Sequence, residues 1–199
     1  MIKHIVREDL NVVVVMNKID RLIVEMKIPP EDAYLKIKHT LEEINGLFAK
    51  YTAQFGMNNR YAISPVLNNV IFASAEYSFM FSVRSMVGKY QQKFQGMDAE
   101  LFGKILWGDY YFNAETKKFT KKPPLGNRKR AFVEFILEPI YKIFSHTVGK
   151  DKVELENFLL RNLGIFLTAE EYKLNIKTLI KLILNRYFKS NACLVSSVT

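Results

Sequence analysis

Val12-Val13-Val14-Val15-Met16-Asn17-Lys18-Ile19-Asp20 is the stretch on which the reading of this chain turns. Its five leading apolar residues, four of them β-branched, favour extended backbone and read as one buried strand. The next four carry chemistry. The Asp20 carboxylate can accept two hydrogen bonds from the adjacent N1–H and N2–H₂ donors of guanine, a pair that adenine does not present. Asn17 can donate its amide toward the N7 side of the same ring while tying neighbouring loops together. The Lys18 stem can lie flat over the base with its ammonium in water. The spacing is required because Asn and Asp must reach different edges of one ring, and the motif gains weight from lying between a strand and a helix.

A second apolar run, Val70-Ile71-Phe72, reads as another buried strand and ends in Ala73-Ser74-Ala75. Small residues there would let backbone amides approach the base O6 without a side chain in the way. Ser74 has a plainer alternative role as a helix cap. A GTP-hydrolysing domain also needs a G-x-x-x-x-G-K-[ST] loop for the phosphates and an Asp beside Mg²⁺. Neither is present, and the nine glycines are scattered singly. Because those parts precede the guanine motif in a GTPase, the expectation is a piece of a longer protein that begins partway through a domain.

With 199 residues, 49% of them hydrophobic and 25% charged, the chain can bury a real core and is not a disordered tail. No apolar stretch reaches membrane-spanning length, and the N-terminus lacks a signal-peptide layout, so no membrane partner is expected. The one cysteine, Cys193, has no internal disulfide partner, and His4, His39 and His146 are dispersed without metal-ligand spacing. The net charge of +9 suits work near RNA but is common on proteins that never touch it. The dense basic cluster, Lys121, Lys122, Arg128, Lys129 and Arg130, lies close to Tyr110, Tyr111 and Phe119 and is the candidate RNA contact by phosphate pairing and stacking. A solvated connecting loop is the alternative and the favoured one.

Periodicity predicts the end of a helix over 2–10, a strand over 11–16, and a long helix entered at Pro29-Pro30-Glu31-Asp32, with proline in the first turn and acids at the positive end of the dipole. Tyr34, Ile37, Leu41, Ile44 and Phe48 recur three and four apart and form its buried face. A turn-rich loop follows over 55–59. Further helices are expected over 79–90, 99–107, 131–146 (kinked at Pro139), 154–163 and 174–188. A hairpin over 110–121 should turn at Asn113-Ala114-Glu115-Thr116-Lys117, after a sharp corner at Trp107-Gly108-Asp109.

Several ordered segments carry a family resemblance: Asn17-Lys18-Ile19-Asp20-Arg21-Leu22, the run from Leu101 through Trp107-Gly108-Asp109 to Phe112, Lys118-Phe119-Thr120-Lys121-Lys122, and Arg130-Ala131-Phe132-Val133-Glu134-Phe135-Ile136-Leu137-Glu138-Pro139-Ile140. Together they resemble the elongation-factor-2 class of GTPases. The segments 27–34, 133–139 and 173–176 are more similar to its spliceosomal U5 snRNP branch than to the ribosomal translocase. The resemblance implies an α/β fold: the C-terminal half of a P-loop GTPase domain over 1–76, a mainly helical insert with a small hairpin over 77–171, and a returning helix of the GTPase domain with the start of a linker over 172–199. It also implies GTP or GDP as ligand, read by Asn17, Lys18, Asp20, Ser74 and Ala75. Mg²⁺ would be held by residues outside this chain, which by itself should be catalytically inactive. Spliceosomal proteins and snRNA are the implied partners, and the nucleus the implied location. A ribosomal translocation factor in the cytoplasm and a non-catalytic RNA- or protein-binding module are the alternatives.

Overall fold

The computed structural model describes residues 1–188 except positions 59, 92, 93, 95, 127 and 128. Cys193 and Arg128 therefore lie outside the described residues, as does Asn59 of the expected loop. After a short helix α1 (Ile2–Arg7), the valine run yields strand β1 (Val14–Met16), shorter than the expected 11–16. Pairing starts only where the Val14 amide donates to the Asn69 carbonyl at 2.9 Å. The strand runs parallel to β2 (Val70–Ser74), with Val14, Val15 and Met16 opposite Val70, Ile71 and Phe72. All five residues of β2 are buried, whereas Val15 is 51% exposed. The expectation of a buried first strand is corrected accordingly, because β1 is the outer strand of the described sheet and β2 its middle one.

Two parallel strands cannot be joined by a tight turn, and the crossover is helical. It comprises α2 (Asp20–Val24) and the 25-residue α3 (Pro30–Gln54), which enters on Pro30 with Glu31 and Asp32 in its first turn. Ala33, Tyr34, Ile37, Leu41 and Phe48 are buried along one face as the three-four spacing requires, and Ile44 is partly buried. The Asn45 side chain holds the return segment, donating to the Ile63 carbonyl and accepting from its amide, both at 2.8 Å.

Residues 79–90 depart from the expected single helix. Phe79–Phe81 form β3, antiparallel to β2 with Phe72 opposite Phe81 and Ser74 opposite Phe79. The aromatics alternate at the period of a strand, and Phe79 and Phe81 both stack on Phe188. Helix α4 (Val83–Tyr90) starts at Ser82, where a reciprocal Ser82–Ser85 capping box supplies two of the first-turn bonds.

Helix α5 (Ala99–Trp107) is capped by Asp98 and stops at Gly108. A Cβ there would sit 2.7 Å from the Lys104 carbonyl and 3.0 Å from the Tyr110 ring, so the corner requires glycine. The hairpin β4 (Tyr111–Asn113) and β5 (Lys118–Thr120) follows, its turn held by Asn113 Oδ1 accepting from the amides of Glu115 and Thr116.

In place of a simple proline kink, residues Val133–Leu137 form a π-helical segment that runs into α6 (Glu138–Gly149). Pro139 has no N–H for the Phe135 carbonyl four residues back, and its ring crowds that oxygen. The widened turn relieves the crowding, and the Tyr90 hydroxyl donates to the Phe135 carbonyl at 2.7 Å. Helix α7 (Lys152–Phe158) passes into a second π segment, Leu159–Leu163, ended by Gly164 at φ 66°. Helix α8 (Ile176–Phe188) buries Leu179, Ile180, Ile183, Leu184, Tyr187 and Phe188.

One hydrophobic cluster runs through all of this. Phe72 of β2 packs on Phe81, Trp107 and Phe132, and the buried Tyr34 hydroxyl donates to the Trp107 carbonyl at 2.8 Å. Among the described residues, no helix is long and apolar enough to cross a membrane.

Candidate functional site

Because β1 and β2 run in the same direction, the loops leaving their carboxyl ends open at one edge of the sheet, the usual location of ligands in open α/β sheets. Asn17 to Asp20 leave β1 there, and Ser74 and Ala75 end β2. The two loops are tied to each other. Asn17 Oδ1 accepts from its neighbour Lys18 N at 2.8 Å and, across the sheet edge, from Ala75 N at 3.1 Å. The Ile19 amide adds a third tie by donating to the Ala73 carbonyl at 3.1 Å. Lys18 adopts φ 66°, a left-handed conformation rare outside glycine, and its side chain is exposed. The structure thus brings together all five residues singled out for base recognition.

Within this cluster the side chains differ sharply in how they are satisfied. The Ser74 hydroxyl is buried and accepts from Tyr77 N at 3.1 Å, so it stabilises a turn rather than capping a helix. That turn is closed by Ser78 N donating to the Ala75 carbonyl, with Ser78 at φ 53°. The Ala75 amide, expected to face a base oxygen, is the one bonded to Asn17. Asp20 is 6% exposed, and its Oδ1 is buried with no hydrogen-bond partner in the protein. A buried carboxylate oxygen left unpaired costs about 1–3 kcal/mol or more, which sets Asp20 apart from the other residues of the cluster.

Tyr77, Phe144, Glu76 and Lys177 are neighbours of the site whose roles escaped the sequence reading. The Tyr77 phenol is pushed up from its ordinary range, by burial first and by the Asp20 charge next, which puts it within electrostatic reach of Asp20. Its ring meets Phe144 edge-on at 4.8 Å. Glu76 pairs with Lys177 at the start of α8, and the lysine's hydrogen bond holds the Glu76 carboxyl below its usual range. The one sequence signal was an aromatic directly behind the small residues. No group of three or more His, Cys, Asp or Glu that could hold a metal occurs among the described residues.

The basic cluster is arranged differently from a stacking platform. Arg130 donates through Nε to Asp109 at 2.8 Å and through a terminal nitrogen to Glu31. Lys129 pairs with Glu138. Lys121 lies 6.0 Å from the Tyr110 ring centre, and Lys122 is exposed while its carbonyl accepts from Thr120. Phe119 is half-buried and packs on Phe94, Phe102, Phe112 and Phe135, so its ring is engaged with the core rather than standing free as a stacking platform.

No protein-family model matches the chain. It is 41% identical over 95% of its length to the 110 kDa U5 small nuclear ribonucleoprotein component CLO of Arabidopsis thaliana, covering 19% of that protein. It is 38% identical over its full length to the pre-mRNA-splicing factor cwf10 of Schizosaccharomyces pombe, covering 20% of it. Against the pre-mRNA-splicing factor SNU114 of Saccharomyces cerevisiae the identity is 34%, again over the whole chain and 19% of the relative. The chain spans about a fifth of the length of the curated relatives it matches, and its similarity to these U5 snRNP components and splicing factors extends over 95–100% of its own length.

Proposed function

We propose that this chain is the guanine-recognising part of a U5 snRNP GTPase acting in pre-mRNA splicing in the nucleus. The observation that carries the reading is the Asp20 carboxylate: buried, with an unpartnered oxygen, at the carboxyl edge of two parallel strands whose loops are clamped by Asn17. A guanine edge would supply the adjacent N–H donors that Asp20 lacks within the protein. Asn17 holds the two loops at a fixed separation, Lys18 covers one face of the base, and the tight turn after Ser74 keeps the backbone close on the other side. In this reading residues 1–76 are the C-terminal half of a P-loop GTPase domain, residues 77–171 its helical insert, and the segment from 172 onward carries the returning helix α8 (Ile176–Phe188) and leads into a linker. The helical crossover between β1 and β2 and the packing of Phe188 on β3 support that division. GTP brings the phosphoanhydride that is hydrolysed. Contacts to its phosphates and to Mg²⁺ would come from residues outside this chain, and snRNA and spliceosomal proteins would be partners through the whole particle.

The test is Asp20→Asn in the full-length protein, with GTP and XTP affinities measured side by side. Replacing a charged acceptor removes a bond of about 1.5–3 kcal/mol, so GTP binding should weaken roughly 10- to 100-fold. XTP should bind better, because an amide can donate to the xanthine C2 carbonyl. Unchanged preference between the two nucleotides would remove Asp20 from the base edge and refute the assignment.

A further inference from the structure

Away from the guanine edge, helices α6 and α7 and the π segment after α7 enclose an open groove of about 440 Å³. Lys142, His146 and Lys150 stand at intervals of four residues along its α6 side, the last just past the helix end. Arg161, Asn157 and Asn162 face them from the other. We propose that this groove binds the phosphate backbone of an RNA strand.

The lining is rich in hydrogen-bond donors. Ammonium and guanidinium groups have no acceptor capacity, and the asparagine amides and the imidazole can each donate, which suits oxygens bearing negative charge from several directions. Three cations face a single lining carboxylate, Glu154, which pairs with Lys150 at 2.8 Å. Lys142 lies 3.7 Å from Glu138, outside the groove lining, while Arg161 has no acidic partner among the described residues. The His146 ring lies flat on Phe158 at 4.3 Å, and its Nδ1 is buried with no hydrogen-bond partner in the protein.

Geometry separates a strand of phosphates from a single one. Residues four apart on a helix are displaced by about 6 Å along its axis, so Lys142, His146 and Lys150 form a row rather than a cage closing on a point. A row of donors on one wall and a forked guanidinium on the other matches a ligand whose charges are themselves arranged in a line. Arg161 is exposed in this groove, whereas Arg130 beside the hairpin is engaged by Asp109 and Glu31.

The experiment measures anisotropy of a fluorescent mixed-sequence 20-nucleotide RNA with the purified chain between 50 and 200 mM salt. For a single strand each phosphate contact contributes a slope of about 0.7 in log K against log salt, so Lys142→Ala/Lys150→Ala/Arg161→Ala should flatten the slope by about two. Affinity at the lowest salt should fall at least tenfold. Arg161→Ala alone, an exposed change that leaves the fold intact by circular dichroism, should flatten it by about 0.7. Lys121→Ala/Lys122→Ala on the hairpin loop should leave the slope unchanged. A retained slope in the triple variant, an equal loss in the hairpin pair, or full release of RNA by millimolar inorganic phosphate would overturn the proposal. None of these readouts depends on nucleotide binding, so failure here leaves the guanine assignment standing.

Discussion

Arg130→Ala offers the most direct measure of how the basic cluster is used. Arg130 leaves the hairpin loop where the Ala131 amide donates to the Tyr110 carbonyl at 2.7 Å, and its guanidinium reaches Asp109 and Glu31 while its central carbon lies 5.4 Å from the Tyr34 ring centre. The Arg130 side chain is 21% exposed, so these are largely desolvated contacts rather than solvated surface pairs. The Asp109 partner is half in water and contributes at most about 1 kcal/mol. Glu31 is more enclosed, and its Oε2 is buried without a hydrogen-bond partner, so removing its cation leaves a partly buried charge alone at a cost of about 1.5–3 kcal/mol. Loss of the cation–π contact adds roughly 0.5 kcal/mol. Allowing for overlap, Arg130→Ala should destabilise by about 2–3 kcal/mol, which for a chain of this size lowers Tm by about 4–12 °C. Arg130→Lys should recover less than half, because an ammonium cannot hold both carboxylates in a fork. Thermal and urea denaturation followed by circular dichroism measure both variants. A change below about 0.5 kcal/mol, or full rescue by lysine, would show that the pairs are screened and return Arg130 to the pool of residues available to RNA.

Further outcomes are expected. The Arg130 hydrogen bond holds the Asp109 carboxyl below its ordinary range, so the stability it confers is complete above the unfolded value near about pH 4 and is lost as pH falls through the depressed folded value. Acid titration of stability should therefore be shallower over that interval in Arg130→Ala. Tyr90→Phe leaves the Phe135 carbonyl without its donor and should cost about 1–3 kcal/mol in urea unfolding. Gly108→Ala forces the α5 corner apart and should cost about 1–3 kcal/mol by the same assay. The chain alone, with base contacts of about 1.5–3 kcal/mol each and no phosphate loop, should bind GTP at about millimolar affinity or weaker; micromolar binding by calorimetry would contradict the division of labour proposed here.

What could be read from the sequence follows from how local each determinant is. The long helix, the hairpin and the Gly108 corner are written in short-range patterns: three-four spacing from Tyr34 to Phe48, the turn residues after Asn113, and a glycine between Trp107 and Asp109. The strand at Phe79–Phe81 was legible in principle, since Phe-Met-Phe alternates and Ser82 is a strong cap, but three apolar residues fit a helix equally well until β2 is there to pair with them. The π segment was not legible. Pro139 announces a disturbance, yet whether the helix breaks, kinks or widens depends on a hydroxyl 45 residues away reaching the Phe135 carbonyl. The same limit applies to charge: Lys129 and Arg130 look available to RNA in the sequence, and Glu138, Asp109 and Glu31 take them only once the chain has folded.

The carboxyl edge of β1 and β2, the proposed guanine site, shows the complementary case, in which motif residues gather at one place while one of them is left unsatisfied. The Asn17 side-chain oxygen is satisfied within the protein, accepting from Lys18 and Ala75 and thereby fixing the distance between the β1 and β2 loops. Asp20 sits one turn away with a buried oxygen and no partner, even though Tyr77 is within electrostatic reach. A sequence selected for stability alone would have paired or replaced that carboxylate, since an apolar residue of similar size avoids the desolvation cost. Keeping it unpaired makes sense where an outside donor completes it, and the clamp at Asn17 holds the loops in place beforehand, so that little ordering cost remains when the donor arrives. The restraint reaches beyond the loops, because Phe72 of β2 packs on Trp107 and Phe132 and Glu76 is paired to the start of α8. A shift of the β2 loop would therefore be transmitted to α5, to the π segment and to α8, the elements through which the proposed nucleotide would influence the rest of the chain.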